Sequence, residues 1–133
     1  VLGYKTYRGE ELEIYGTASD GGFARLATKL KLYKNTSTPA KDGTGFVQVV
    51  NGNGYTTGGK TISRANWSYL SGPSHIVLAD QVWTAGGGSI PDIAGAYLTN
   101  AADEVMAWWE RDTVLTLLDG ESVTADDLTI QVS

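Results

Sequence analysis

The chain has 133 residues, 41% of them hydrophobic and 10% aromatic, with 17 glycines, 3 prolines and no cysteine. That is enough chain for one domain with a real core, and the composition is that of a folded protein. A net charge of −5 without a Lys/Arg cluster argues against nucleic acid as a partner; the lack of cysteine excludes disulfides, thiol catalysis and Cys-ligated zinc, and no run approaches the roughly 18 apolar residues of a membrane span.

The opening VLGYKTYRGEELEIY has no continuous apolar stretch and does not read as a signal peptide. On this reading the protein works where it is made or leaves the cell by another route. Val1 to Glu10 carries Tyr4, Lys5, Tyr7 and Arg8. It reads as an extended arm suited to an acidic neighbour, or as a frayed terminus. Glu11 to Tyr15 alternates and predicts a short strand, and Thr17 to Gly22 is a turn cluster. In the next segment Leu26, Leu30 and Leu32 share strand parity, with Arg25, Lys29 and Lys31 on the other face. A helical reading through Phe23, Leu26, Leu30 and Tyr33 also fits, but strict alternation predicts a strand at least over Lys29 to Tyr33.

Asn35 to Gly45 is a polar loop and Phe46 to Val50 a strand. Asn51 to Gly59 is dense in turn residues and predicts several positive φ angles. Thr61 to Tyr69 is weakly strand-like, and Ser71 to Ser74 turns. His75 to Asp80 predicts a strand, which Gln81 to Trp83 extends or bends. Ala85 to Pro91 is a loop, Ile93 to Leu98 a buried strand, and Asn100 to Asp103 a hairpin turn.

The stretch DEVMAWWERD, 103–112, fits two elements. As a helix it has a start signal, with Asn100 and Asp103 near its beginning. As a strand it places Val105, Ala107 and Trp109 on one face, with Met106 and Trp108 on the other. Strand candidates flank it, with tight polar turns on both sides, so a strand of a meander is the more economical reading. Thr113 to Leu118, the turn Asp119-Gly120 and Leu128 to Val132 complete the chain. Short strands with recurrent turn signals indicate a sandwich or barrel. No repeat or linker interrupts them.

Catalytic chemistry is not visible. The one histidine, His75, has no evident nucleophile partner and reads as a polar strand start. Asp126 and Asp127 would point to opposite faces of a strand and fit a turn better. Gly54-Tyr-Thr-Thr-Gly-Gly-Lys-Thr61 formally matches GxxxxGKT, but no apolar strand precedes it and no good helix follows. Asn35-Thr-Ser37 and Asn66-Trp-Ser68 match the glycosylation pattern, which carries no weight without a secretory signal. Asp119, Glu121, Asp126 and Asp127 could offer oxygen ligands but lack EF-hand spacing. No cofactor, metal or catalytic residue is expected.

The order of segments resembles that of small structural proteins of tailed bacteriophage virions. The resemblance runs from about Lys29 to Val132. KLKLYKNTSTP from Lys29 is similar to the family's first long strand and its small-polar loop. Asn51-Gly-Asn-Gly-Tyr55 resembles its glycine-tyrosine turn, and DIAGAYLTN from Asp92 its central strand. Val105-Met-Ala-Trp108, LDGESV from Leu118 and DLTIQV from Asp127 resemble its terminal meander. Each motif alone is weak; order and spacing carry the likeness. Members often begin with a short helix, whereas EELEIYG reads extended here.

The resemblance implies an all-β, antiparallel, jelly-roll-like sandwich without enzymatic activity that assembles by surface contact. The expected organisation is an extended N-terminal arm and first strand over 1–22 and a sandwich domain over 23–133. The expected role is a capsid decoration (cement) protein on the outer head surface, made in the host cytoplasm. It would bind between major capsid protein subunits and self-associate as a homo-oligomer, a trimer among the options. A tail-fibre or tail-tip module is the alternative, with Asn51 to Gly59 and Ala85 to Ser89 facing a receptor; a carbohydrate-binding module is another. Candidate contact residues are Tyr4, Tyr7, Arg8, Trp67, Trp83, Trp108 and Trp109. Of the last pair only one should face the core, which makes the other the first choice for an exposed contact.

Overall fold

Alternation at Lys29 to Tyr33 builds the strand expected of it. In a computed structural model, which describes residues 2–14, 22–69 and 75–131, this strand is β2, Ala27–Lys34. Leu30 and Leu32 enter the core, while Lys29, Lys31 and Tyr33 take the opposite face. The other elements are β1 Tyr4–Lys5, α1 Tyr7–Ile14, α2 Gly22–Leu26, β3 Lys60–Thr61, a 3-10 turn Arg64–Asn66, β4 Trp67–Tyr69, β5 His75–Leu78, β6 Gln81–Thr84, β7 Ile90–Asn100, β8 Val105–Leu117, β9 Ser122–Ala125 and β10 Leu128–Gln131. The turn expected at Thr17 to Gly22 lies outside the described residues except for Gly22, which opens α2 instead; the turn at Ser71 to Ser74 and the ends at Tyr15 and Val132 also lie outside them.

The fold is all-β and antiparallel. A five-stranded sheet runs β1-β8-β7-β2-β3, a three-stranded sheet β10-β5-β4, and a ribbon pairs β6 with β9. The inner face of the large sheet contributes Leu30, Leu32, Ile93, Leu98 and Trp109 to one core. Ile76, Leu78, Leu128 and Ile130 from the smaller sheet, and Trp83 from the ribbon, complete it in a sandwich-like arrangement.

DEVMAWWERD is a strand, entered through the expected hairpin turn. Asn100 N–H donates to the Glu104 carbonyl at 3.1 Å, and Asp103 takes a φ of 61°. The polar turn expected after residue 112 is absent: β8 runs on to Leu117. Its pairing with β7 shifts register at three places, two of which redirect side chains. Leu98 pairs with Ala107 but Thr99 with Val105, so Met106 is an extra residue. This bulge upsets the expected parity. Met106 joins Ala107 and Trp109 in the core, and Val105 packs with Trp108 on the outer face. Further on, Gly95 pairs with Glu110 and Ile93 with Leu115, so Arg111 to Val114 stand opposite Ala94 alone. The chain loops outward there, with all four residues exposed, and then re-enters the ladder.

Two other expectations need correction. Phe46 to Val50 is not a strand. Gln48 makes one isolated bridge to Tyr33, held by Val49 N–H to Leu32 at 3.0 Å and Lys34 N–H to Val47 at 2.7 Å. The tight Gly52–Tyr55 turn follows at once and ends the pairing. The loop Asn51 to Gly59 does contain the positive φ angles foreseen, at Gly52, Asn53, Gly54 and Gly59. The ribbon strand β9, in turn, had no clear signal in Ser122-Val-Thr-Ala125.

The N-terminal reading fails most instructively. Glu11 to Ile14 is helical, as the end of α1, and Leu26 closes α2 instead of joining β2. The cause is Thr6. Its side-chain oxygen accepts from Gly9 N–H at 3.0 Å, and its carbonyl from Glu10 N–H at 3.0 Å, which is N-cap geometry. The same hydroxyl shares its proton between the carbonyls of Val105 at 2.6 Å and Met106 at 3.2 Å. Gly9 is required because a Cβ there would collide with the Met106 carbonyl. The segment before the helix is extended but docked. Leu2 bridges Thr129 of β10, and Tyr4 and Lys5 pair with Trp108 and Ala107 of β8.

Thr6 is fully buried. Thr6→Ala removes the cap and leaves buried groups without their partner, so it is expected to cost about 1–3 kcal/mol. Thr6→Ser keeps the hydroxyl and should recover most of that. Urea unfolding of the three proteins checks this; equal midpoints would show that Thr6 does not hold α1 to β8.

Candidate interaction surfaces

The candidate contact residues divide sharply by burial. Trp67, Trp83, Trp108 and Trp109 are at most 7% exposed, whereas Tyr4 is 54% and Tyr7 62% exposed. The expectation of an outward, accessible tryptophan in the 108–109 pair is therefore corrected. Trp109 does enter the core, with its indole N–H donated to the Thr129 carbonyl at 3.0 Å. Trp108 does point to the outer face, but that face is covered.

The cover is aromatic. Tyr4 stacks on Trp108 at 5.2 Å with 21° between the planes. Phe46, from the loop after β2, meets Trp108 edge-on at 5.8 Å and stacks on Tyr97 at 5.0 Å. Tyr33 closes the cluster edge-on to Phe46. Such offset and edge contacts suit the ring quadrupoles. Tyr33 reaches this position because position 95 is glycine: a Cβ there would strike the Tyr33 ring and the Trp109 carbonyl. The Tyr33 hydroxyl donates to that carbonyl at 3.2 Å. Burial pushes the Tyr33 and Tyr97 phenols well above their usual range, so both stay protonated.

A polar frame braces the rim of this cluster. Lys29 and Lys31 both reach Asp103, at 2.9 and 3.3 Å. Arg8 pairs with Glu104 at 3.0 Å, and Asn100 donates to the same carboxylate at 3.0 Å. Lys41 pairs with Glu10 at 2.6 Å and lies 5.7 Å from the Tyr7 ring centroid. Tyr7 N–H donates to the Lys41 carbonyl at 2.9 Å. The two exposed tyrosines thus sit on a segment held from both sides. Leu2, 53% exposed, lies on the same segment.

A second surface forms where the glycine-rich loops meet. The Asn53 carboxamide donates to the Ser89 carbonyl at 2.9 Å, and Gly86 N–H to the Asn53 carbonyl at 3.0 Å. A Cβ on Gly54 would strike the Thr84 carbonyl, and one on Gly88 the Asn53 side chain. Gly87 N–H donates to Asp119 at 3.0 Å, and Gly120 N–H to the Ala85 carbonyl at 2.8 Å. Residues 51–59, 85–89 and 118–121 are therefore one closely fitted end of the molecule.

The residues weighed for catalysis or ligation lie in strands and turns. His75 opens β5, half-buried. Glu121 accepts from Leu118 N–H at 2.7 Å, and Asp119 and Glu121 both serve the turn after β8. Asp127 takes a φ of 54° in the turn before β10. Among the described residues no three His, Asp or Glu side chains converge as a metal cluster. Lys60 and Thr61 of the GxxxxGKT match lie in β3, paired with Leu30 and Lys29, and no helix follows them directly. No family model, no curated protein and no solved structure matches the chain.

The frame implies a pH dependence. Hydrogen bonds from Lys29 and then Lys31 hold the Asp103 carboxyl below its usual range. Asn100 and then Arg8 do the same for Glu104, and Lys41 for Glu10. A depressed folded pKa contributes stability that is complete above the unfolded value and is lost as pH falls through the folded one. Unfolding free energy should accordingly decline below about pH 4. In Asp103→Asn combined with Glu104→Gln that decline should be shallower. Denaturant titrations between pH 6 and 3 measure it, and parallel slopes for both proteins would contradict the assignment.

Proposed function

We propose that this chain is a non-enzymatic structural protein that works by docking through its surface. With the sequence resemblance, the specific reading is a bacteriophage capsid decoration protein that binds between major capsid protein subunits on the outer head. The observation that carries it is the pair Tyr4 and Tyr7, two exposed rings on a segment braced by β8, α1 and Lys41. Tyrosines held in place lose little entropy on binding and are common interface anchors. Arg8, engaged with Glu104, lies at the rim of that surface. Self-association would use the same kind of contact.

A tail-fibre or tail-tip module is the second reading. It is favoured by the joining of residues 51–59 and 85–89, segments distant in sequence, into one fitted end. As a carbohydrate-binding module the chain would offer Tyr4 and Tyr7 for stacking on sugars among the described residues, since its four tryptophans are buried.

Copy number in purified particles, measured by quantitative mass spectrometry against the shell protein, separates these readings. Stoichiometry near that of the shell protein supports decoration, a handful of copies supports the tail, and absence from particles removes the virion reading. For decoration, Tyr4→Ala with Tyr7→Ala is expected to weaken binding to undecorated heads about 30-fold or more. Unchanged binding would move the contact away from this face.

A further inference from the structure

A second kind of site lies between the large sheet and the β6–β9 ribbon. It adjoins the point where β8 leaves the β7 ladder after Glu110, and Arg111 is part of its lining. Small residues border it: Ala96 on β7 and Ala125 on β9. Two large rings, Trp83 and Trp109, border the same space. The space is a partly open cleft of about 140 Å³ whose lining includes, besides its apolar residues, Glu110, Arg111 and Asp126. Cores ordinarily pack with few voids larger than a water molecule. An apolar cavity of about 150 Å³ is sufficient to hold benzene. The Trp109 N–H is already committed to the Thr129 carbonyl, so its ring offers an apolar wall.

We infer that this cleft is a binding site for a small, uncharged, single-ring aromatic compound, inserted between Trp83 and Trp109 with any polar substituent left at the Glu110–Asp126 rim. Size selects one ring, because two fused six-membered rings with substituents would exceed the volume. The walls select an uncharged ring, because a charge buried there would find no partner on the apolar walls. Neither Tyr4 nor Tyr7 of the docking surface lines this cleft.

Benzene titrated into the 15N-labelled full chain tests this. The indole N–H signals of Trp83 and Trp109 should shift saturably, while those of Trp67 and Trp108, which do not line the cleft, should stay in place. Ala125→Leu fills the space and should weaken binding at least tenfold, whereas Val50→Leu, at an exposed position elsewhere, should leave it unchanged. Crystals of the unaltered protein pressurised with xenon give an independent measurement, with density expected between the two rings. No saturable shift, equal shifts at all four tryptophans, or xenon absent from the cleft would overturn the inference.

Discussion

Two consecutive tryptophans in one strand impose the main constraint on this structure. Neighbouring residues of a strand point to opposite faces, so Trp108 and Trp109 cannot share a core. Trp109 is served by the sandwich interior. Trp108 obliges the outer face of the large sheet to be covered as well, and the chain meets that demand from distant places. Tyr4 arrives from β1, Phe46 from the loop after β2, and Tyr33 crosses from β2 over Gly95. Docking of the N-terminal segment, the course of the 35–46 loop and the absence of a side chain at position 95 all follow from one indole on the outer face.

This also explains what was legible in the sequence. Strands whose apolar residues face one core announced themselves: Leu30 and Leu32 in β2, Leu128 and Ile130 in β10, Ile93 and Leu98 in β7. The hairpin turn at Asn100 to Asp103 and the left-handed backbone of the 51–59 loop were legible for local reasons. What escaped was non-local. Whether a tryptophan on the outer face is bare depends on Tyr4, about a hundred positions earlier. Parity within Val105 to Trp109 depends on a single extra residue against β7. The short helix after Thr6 did have a local sign, a threonine able to cap it with Glu10 in the first turn, but strand-like alternation in Glu11 to Tyr15 competed with it.

The charged residues are distributed in keeping with this plan. Lys31, nearly buried, finds its counter-charge in the hairpin turn through Asp103, and the next residue, Glu104, reaches Arg8 in the first turn of α1. The turn between the two longest strands thus links β2 on one side to the N-terminal helix on the other. Among the described residues, the exposed aromatic area belongs to Tyr4 and Tyr7, beside this frame. Rings held this way lose less freedom in any contact they make, since their ordering cost is met on folding.

One carbonyl joins parts of the chain that are otherwise far apart. The oxygen of Thr129 accepts both Gly3 N–H, at 2.7 Å, and the Trp109 indole N–H, at 3.0 Å. Gly3 lies so close to that indole that a Cβ would come within 2.6 Å of its ring. The first extended segment, the central ring of the core and the last strand therefore share a single acceptor. Opening any one of them disturbs the other two, so all three belong to one cooperative unit. In hydrogen exchange the backbone amide of Gly3, though near the chain's beginning, would keep the slow pace of the core rather than fray with the surface.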